Sequence, residues 1–338
     1  MVKRDTLNIF NKLTFARVFN LTKLYISFIL SRFSKKGKIH GLPAALSIEP
    51  TTTCNLGCPE CPSGLRQFTR KTGNLQKELN SKIINEISNS LLYINYYFQG
   101  EPFINRNLFD FIKEASTKNI YTSTSTNAHY LTPKNAIKTI ESGLDRLIIS
   151  IDGTTQQTYE SYRKGGSLSK VIQGTENLIQ AKKKLNSKTP HIIFQFLVVR
   201  QNEHQIESAI ELSKKLKVDE IRFKTAQLYD YKHGNPLMPK NEKYSRYKKT
   251  KNGNYVLKNK LFNHCWRMWS SSVVTVDGKL VPCCFDKDAK YKIGDLTKNS
   301  FKDIWKSKAY RSLRKGITSN RKEIDICQNC TEGTKVWT

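Results

Sequence analysis

The 338-residue chain is poor in several residue classes, and each shortage excludes a kind of protein. Asp and Glu number only 28 against 57 Lys and Arg, which gives a formal net charge of +29. No long stretch rich in Pro, Gly or Ser marks a flexible linker, and the sequence contains no internal repeat. The chain is therefore predicted to be a folded globular protein, with one large α/β domain or two smaller ones.

The shortage of acidic residues favours an anionic partner, either nucleic acid or anionic lipid. The basic residues are scattered, however, as in Lys182-Lys183-Lys184, and this is typical of solvated helix faces. No stripe of base-stacking aromatic residues accompanies them. The abundance of Lys, Asn, Ile and Tyr also fits the coding bias of an AT-rich genome. We therefore do not expect a dedicated nucleic-acid groove.

No apolar run is long enough to span a membrane without interruption. Residues 13–33 are rich in Leu, Phe, Ile and Tyr, but Arg17 and Lys23 interrupt them, and further basic residues end the run. No small-residue cleavage site follows, as it would in a signal peptide. Two interpretations stay open, an amphipathic helix packed on the main domain and a helix in peripheral contact with a membrane surface. Both place the body of the protein in the cytoplasm.

The eight cysteines form two groups separated by more than 200 residues. Without a secretory signal we do not expect a disulfide framework, so metal or redox chemistry is favoured. Cys54, Cys58 and Cys61 form the first group, with the spacing C-x3-C-x2-C in one short loop. Three thiolates can hold three corners of an iron–sulfur cubane and leave one iron without a protein ligand. Structural zinc would need a fourth ligand, and no further Cys or His lies nearby in the sequence.

This cysteine spacing resembles the signature of the radical S-adenosylmethionine (SAM) superfamily. A companion motif of that family, Gly-Glu-Pro, occurs here in Gln99-Gly100-Glu101-Pro102, directly after the β-rich run Tyr93–Phe98. The resemblance implies that SAM binds the open iron of a [4Fe–4S] cluster and that the backbone of the motif binds the SAM amino group. It also implies reductive cleavage of SAM to a 5′-deoxyadenosyl radical, which abstracts a hydrogen atom from the substrate.

Short β-rich runs alternate with helical stretches, a pattern that predicts βαβ units and a parallel sheet. The candidate strands are Ala45–Glu49, Tyr93–Phe98, Tyr121–Thr126, Arg146–Ile151, His191–Val199 and Glu220–Phe223. The candidate helices between them are Leu79–Ser90, Asn107–Lys118, Lys134–Ser142, Ser169–Leu185 and His204–Leu216. With the resemblance, this α/β pattern implies a partial (β/α)6 TIM-like barrel with its chemistry at the C-terminal strand ends.

Polar residues also follow the third and fourth candidate strands. Ser125 and Asn127 suit the ribose or the methionine part of SAM. In the branch of the family that has C-terminal cluster domains, the resemblance implies that Ser150 contacts SAM and that Arg163 pairs with its carboxylate. Asp152 belongs to the same Ser-x-Asp-Gly segment, and we place it with the cofactor-binding residues. The alternatives are a turn or N-cap role for Asp152 and a surface ion pair for Arg163.

The second cysteine group has a different spacing. Cys265, Gly278 and Cys283 follow the order C-x12-G-x4-C, and Cys327 and Cys330 complete the set as C-x2-C. This order resembles the SPASM domain, or the shorter twitch domain, of radical SAM enzymes. It implies an auxiliary [4Fe–4S] cluster held by these four cysteines, and a four-cysteine zinc site is the alternative.

The local pattern around these cysteines predicts a β-hairpin on an Asp-Gly turn, followed by an amphipathic helix over residues 300–315. Cys284 is surplus to the set. Glu60 occupies the position at which the family usually has an aromatic residue near the adenine. We assign no role to Cys284 or to Glu60. The predicted organisation is a basic amphipathic N-terminal extension, the radical SAM barrel, a connecting segment and the auxiliary-cluster domain, at residues 1–43, 44–235, 236–260 and 261–338.

The sequence leaves the substrate open. An auxiliary cluster that takes one electron from a substrate radical would make the net reaction an oxidation, and the four-cysteine set favours a sugar or aminocyclitol. Peptide or protein modification, of the peptide-maturing or sulfatase-maturing type, is the alternative, although 43 residues are too few for a winged-helix peptide binder. RNA modification is a lesser alternative. We expect an external flavodoxin or ferredoxin as electron donor. Candidate substrate-facing residues are Arg200, Lys224, Gln227 and Tyr229.

Overall fold

The computed structural model describes residues 4–334, so the outer ends of the predicted segments 1–43 and 261–338 lie outside the described residues. The helices are α1 (Arg4–Phe10), α2 (Phe15–Ser34), α3 (Pro62–Leu65), α4 (Lys77–Ile87), α5 (Leu108–Thr117), α6 (Pro133–Glu141), α7 (Gln156–Tyr162), α8 (Leu168–Lys184), α9 (Ile206–Lys215), α10 (Arg267–Ser270), α11 (Phe301–Lys306), α12 (Lys308–Asn320) and α13 (Asp325–Gln328). The strands are β1 (Ala45–Ile48), β2 (Tyr93–Asn95), β3 (Tyr121–Thr126), β4 (Arg146–Ser150), β5 (His191–Val198), β6 (Glu220–Thr225), β7 (Tyr247–Lys249), β8 (Tyr255–Leu257), β9 (Ser271–Val274), β10 (Lys279–Val281) and β11 (Gly294–Asp295).

Strands β1 to β6 are parallel and lie in sequence order, with a helix in each crossover. Each of these six strands begins at the residue that the sequence pattern predicts, and their ends differ from the prediction by at most a few residues. The predicted α/β fold with a partial (β/α)6 barrel is confirmed. Parallel strands of this kind bring their C-terminal ends to one edge, where barrel enzymes hold their ligands.

The C-terminal hairpin continues the barrel sheet. Strand β9 pairs in parallel with β1, where Ser271 lies opposite Ala45. Strand β10 returns antiparallel to β9, and β11 pairs with β10. The sheet therefore has the order β11-β10-β9-β1-β2-β3-β4-β5-β6. This pairing places the second cysteine group beside the first strand of the barrel.

Two elements differ from the sequence prediction. The single helix expected over residues 300–315 is two helices, α11 and α12. They separate at Ser307, whose hydroxyl accepts a hydrogen bond from the Tyr310 backbone N–H at 3.2 Å and caps the second helix. The connecting segment contains the antiparallel hairpin β7–β8, which the sequence pattern did not predict.

The N-terminal helices pack against the barrel. In α2, the Phe28 ring lies 5.5 Å from the rings of both Trp266 and Trp269, measured between centroids. The buried Arg17 side chain donates hydrogen bonds to the backbone carbonyls of Lys118 and Asn119 at 2.9 and 2.5 Å. These contacts tie α2 both to the segment that holds α10 and to the loop before β3.

Within residues 4–334, no single helix has the length and apolar composition to cross a membrane. Helices α1 and α2 meet those criteria of length and composition only when taken together, and the chain bends by 95° between them.

Candidate active site

The first cysteine loop lies at the C-terminal edge of the sheet, between β1 and α3. It borders a cavity of about 220 Å³ that most of the predicted cofactor-binding residues line. Those residues are Cys54, Cys58, Cys61, Gln99, Gly100, Glu101, Ser125, Asn127, Ser150 and Arg163. The side chains come from the ends of β1, β2, β3 and β4 and from the loop after α7. The structure thus brings together residues that lie up to 109 positions apart in the sequence.

Gly100 is fixed against the cysteine loop by a close backbone approach. Its φ is +73°, and a Cβ atom at this position would lie 2.3 Å from the carbonyl oxygen of Thr51. Its backbone N–H donates to the Ser63 hydroxyl at 2.9 Å, and the Glu101 N–H donates to the Thr53 carbonyl at 2.8 Å. Only glycine fits this conformation and this spacing.

The Glu101 side chain points into the protein and joins the motif to β3. Its carboxylate accepts hydrogen bonds from the Thr126 hydroxyl at 2.8 Å and from the backbone N–H groups of Asn127 and Phe103 at 2.7 and 3.2 Å. Burial raises the pKa of Glu101 to about 7, although these donors oppose the shift. Pro102 begins a turn of 3₁₀ helix and does not line the cavity. The motif therefore offers its backbone to the cavity.

Asp152 does not line the cavity, which corrects its predicted place among the cofactor-binding residues. The alternative N-cap role is also wrong, because Thr155 caps α7. The buried Asp152 carboxylate instead accepts a hydrogen bond from Arg163 Nε and another from the Leu197 backbone N–H at 2.7 Å. Asp152 therefore positions Arg163 and joins it to β5.

Arg163 faces the cavity from the loop after α7. Its Nη1 lies 3.8 Å from the sulfur of Cys58. Burial lowers the pKa of Arg163, but the negative charge of Asp152 outweighs it, and the pKa is raised well above its ordinary value. The side chain is thus a fixed cation beside the cysteine loop and not a surface ion pair. A guanidinium in this position suits a carboxylate ligand.

Eight other residues of this cavity were not predicted as site residues, and a ninth had no assigned role. The eight are Leu56, Gly64, Tyr97, Thr126, Tyr162, Gln195, Leu197 and Lys287. The ninth, Glu60, accepts a hydrogen bond from the Tyr229 backbone N–H at 3.0 Å, and burial raises the pKa of Glu60.

A larger cavity of about 680 Å³ lies next to the first one, and Lys287 lines both. Gln227 and Tyr229, two of the predicted substrate-facing residues, line the larger cavity. The other two do not: Arg200 donates to the Met238 carbonyl at 3.0 Å, and Lys224 is exposed on β6. The rest of the lining combines acidic, basic and amide side chains with Tyr231 and four apolar residues, Pro62, Leu65, Phe285 and Ile326.

The four predicted auxiliary cysteines lie close enough together to perturb one another's ionisation. The negative charge of Cys265 raises the pKa of Cys283, of Cys327 and of Cys330. In each of the three, another cause contributes more to the pKa shift. They come from three places, the loop before α10, the end of β10 and the region of α13. Four thiolates drawn together in this way match the ligand set of an iron–sulfur cluster.

Two arginines face these thiols. The buried Arg321 has its Nη2 3.3 Å from the sulfur of Cys330, and it also donates to the carbonyls of His264 and Glu332 at 2.8 and 2.9 Å. Arg267 has its Nη1 3.9 Å from the sulfur of Cys284. Positive groups beside thiolates stabilise the charged form that binds metal.

Cys284, the surplus cysteine, lies in a third cavity of about 230 Å³ together with Cys283. A hydrogen bond with Cys283 lowers the pKa of Cys284 to about 7, and Arg267 adds to this effect. Tyr97 lines this third cavity and also the cavity beside the first cysteine loop. Tyr97 therefore borders cavities that adjoin both cysteine groups.

In residues 4–334, no three Cys, His, Asp or Glu side chains converge on the position of a single metal ion. A cubane cluster attaches each thiolate to a different iron, so its ligands surround a larger volume. The first loop provides three thiolates beside a cavity with room for a further ligand, and the second group provides four. These donor sets fit one cluster with an open iron and one fully ligated cluster.

Two family models match the chain. The model described as the radical SAM superfamily matches residues 48–213, which include the first cysteine loop. The SPASM model, described as an iron-sulfur cluster-binding domain, matches residues 265–331, which include the auxiliary cysteines.

Curated proteins of related sequence include three with different names and organisms. The PqqA peptide cyclase of Bradyrhizobium diazoefficiens is 25% identical over 217 residues, 62% of this chain and 54% of the relative. The mycofactocin maturase MftC of Mycobacterium ulcerans is 28% identical over 144 residues, 42% and 38% of the two chains. The AdoMet-dependent heme synthase of Methanosarcina barkeri is 26% identical over 175 residues, 52% and 48%. The matches span about half of these relatives or less.

Solved structures share the fold. BtrN in complex with AdoMet and 2-DOIA has a TM-score of 0.54 and 18% identity, with 88% of this chain and 96% of BtrN covered. Streptococcus suis SuiB bound to S-adenosylmethionine has a TM-score of 0.63 and 14% identity, with 84% and 70% covered. The anSMEcpe protein with AdoMet and the Cp18Cys peptide has a TM-score of 0.59 and 19% identity, with 86% of each chain covered.

Proposed function

The chain belongs to the radical SAM superfamily and carries a C-terminal SPASM domain, and on this premise we propose that it oxidises a sugar or aminocyclitol. Its cofactors are a SAM-bound [4Fe–4S] cluster and an auxiliary iron–sulfur cluster. We assign the first to Cys54, Cys58 and Cys61. When bound, these groups supply reductive SAM cleavage, abstraction of a substrate hydrogen atom and a one-electron acceptor.

The protein's own residues bind and orient the cofactor in this proposal. The Gly100–Glu101 backbone receives the SAM amino group, and Arg163 pairs with the SAM carboxylate. Ser125, Asn127 and Ser150 are expected to contact the remaining polar atoms of SAM. Asp152 and the Glu101 side chain hold these groups in place from behind, so we assign them positioning roles.

The observation that carries the substrate proposal is the cavity of mixed polar and apolar lining beside the SAM site. Its volume of about 680 Å³ lies in the range of small-molecule sites. Gln227 and Gln328 have amide groups suited to sugar hydroxyls, and Asp325 suits an amino substituent. The shared residue Lys287 makes this cavity the proposed route by which the substrate reaches SAM.

The oxidative outcome rests on Tyr97, which borders cavities that adjoin both cysteine groups. For an alcohol, the bound SAM would supply removal of a hydrogen atom from the substrate carbon and the auxiliary cluster would accept one electron, while the hydroxyl proton would pass to solvent. The product is a ketone, with methionine and 5′-deoxyadenosine as coproducts. We further propose that a flavodoxin or ferredoxin supplies the electron for SAM cleavage and receives the one from the auxiliary cluster, and that this occurs in the cytoplasm.

Peptide modification is the second candidate, and the relatives support it. The sequence relatives include a peptide cyclase and a maturase, and SuiB and anSMEcpe have each been solved with a peptide bound. Tyr229, on the wall of the larger cavity, is 54% exposed, so an extended peptide is the occupant to test against a small ring.

The test uses anaerobically reconstituted protein with SAM, dithionite and carbon-deuterated candidates: aminocyclitols, nucleotide-linked sugars and peptides. We expect an aminocyclitol or sugar to transfer deuterium to 5′-deoxyadenosine and to yield a product two hydrogens lighter. Deuterium transfer from a peptide alone would support the second candidate. A product of unchanged mass would contradict the oxidation.

A further inference from the structure

The outer face of the N-terminal helices is apolar and exposed. Most of the exposed large hydrophobic side chains of residues 4–334 lie between residues 7 and 33. On α2 they form one stripe, since Phe15, Phe19, Ile26, Leu30 and Phe33 recur at spacings of three, four and seven. Phe15 and Phe33 are 88% and 82% exposed. Contiguous apolar surface of this kind marks an interaction site.

The stripe cannot turn inward, because polar groups fix the opposite face of α2 to the barrel. The Asn20 amide donates to the Leu42 carbonyl at 2.7 Å, and the Ser27 hydroxyl accepts from the His40 backbone N–H at 2.8 Å. Arg17 is bound to backbone carbonyls on the same side. Rotating the helix would leave these buried groups without partners, which is costly. The apolar face is therefore held outward.

The charges around the stripe have one sign. Asp5 is the single acidic residue in the first 43 positions, and it is buried against Tyr121 and Arg146. Lys23, Arg32 and the lysines that follow α2 are exposed around the stripe. A second copy of the chain would bring the same cations together, whereas an anionic surface would complement them.

We propose that the exposed face of α1 and α2 binds the surface of an anionic lipid bilayer, with α2 parallel to the membrane plane. The phenylalanines enter the boundary between headgroups and acyl chains, and the flanking lysines and arginines contact lipid phosphates. The enzyme then acts at a membrane surface, which goes beyond the proposed reaction and does not depend on it.

The test is vesicle sedimentation of the full-length holoenzyme with phosphatidylcholine alone or mixed equally with phosphatidylglycerol. Wild type is expected to bind the anionic vesicles and to lose binding as salt rises from about 0.1 M to about 0.5 M. The triple variant Phe15→Ser/Phe19→Ser/Phe33→Ser is expected to bind at least about tenfold more weakly. A second triple variant reverses three charges, Lys23→Glu/Arg32→Glu/Lys35→Glu. It should lose the part of vesicle binding that depends on salt concentration.

The control variant Val256→Ser/Phe262→Ser removes exposed apolar side chains outside the stripe and should bind like wild type. Formation of 5′-deoxyadenosine without vesicles should be unchanged in every variant, which separates this surface from the catalytic site. Absence of vesicle binding by wild type, or equal binding to both compositions, would overturn the proposal. So would a dimer in light scattering that the triple variant dissociates, because the stripe would then be a self-interface.

Discussion

The two cysteine sites of this protein are built in different ways. The first takes its three cysteines from one loop of eight residues after β1, and its cation, Arg163, is held by the carboxylate of Asp152. The second gathers cysteines from three separate segments between Cys265 and Cys330, and its cation Arg321 is held by backbone carbonyls. The first site is thus defined by a short stretch of chain, and the second by the tertiary fold around it.

The two sites share a buried ion pair. Arg70, in the loop after the first cysteines, donates two hydrogen bonds to Glu49 at 2.7 and 2.6 Å. The Glu49 carboxylate also accepts from the Val276 backbone N–H at 3.2 Å, in the turn of the β9–β10 hairpin. Arg70 further donates to the carbonyl of Lys287 at 3.1 Å. One charge pair therefore fixes both sites to the end of β1.

The largest expected effect is that a cysteine variant at each site abolishes a different reaction. Cys58→Ala should abolish SAM cleavage, because the first cluster loses a ligand. Cys327→Ala should retain 5′-deoxyadenosine formation but lose substrate oxidation, since only the auxiliary site is damaged. Iron content should fall from about eight to about four per chain in each variant. The measurements are iron and sulfide content and chromatography of 5′-deoxyadenosine.

Cys284→Ser is the matched control, because it removes a neighbouring thiol outside the predicted ligand set. It should keep about eight irons and both activities. A loss of iron in this variant would show that Cys284 is a ligand, and loss of SAM cleavage in Cys327→Ala would show that the two sites do not work separately.

The first site lies in one short stretch of chain and the second is assembled from distant segments, and this difference explains which parts of the molecule the sequence could predict. The first loop and Gly100 were predictable because the three cysteines and the Gly-Glu-Pro motif follow single strands, and each strand is visible as a β-rich run. The pairing of β9 with β1 joins residues 226 positions apart, and no local pattern encodes it. Lys287 was missed for the same reason. Tyr97 follows β2, but only that pairing brings the second cysteine group to its other side.

Asp152 illustrates a second limit of sequence analysis. The Ser-x-Asp-Gly resemblance placed it among the cofactor-binding residues, but a carboxylate there can equally hold a neighbouring side chain. Which of the two occurs depends on the direction of the side chain and on Arg163, eleven residues further on.

The sequence also could not predict which face of α2 points outward. Both faces of the helix contain apolar residues, and only the polar contacts decide which face is buried.

A smaller effect is expected from breaking the connection between the sites. Glu49→Gln leaves the buried Arg70 guanidinium without its counter-ion, so the free energy of unfolding should fall by about 3–5 kcal/mol. Urea unfolding measures this loss. The exposed pair of Lys77 and Asp110 provides the control, since Asp110→Asn should cost at most about 1 kcal/mol. Equal losses in the two variants would mean that the buried pair does not join the sites.

The smallest expected effect concerns the close approach at Gly100. Gly100→Ala places a methyl group 2.3 Å from the Thr51 carbonyl oxygen, so the backbone must move and SAM affinity should fall by at least about tenfold. Gly165 has the same φ of +73° but no atom within 4 Å of its Cβ position. Gly165→Ala therefore carries only the conformational cost of about 1 kcal/mol and should bind SAM like wild type. Anaerobic equilibrium dialysis compares the two, and equal affinities would show that the close approach of Gly100 to the cysteine loop does not support SAM binding.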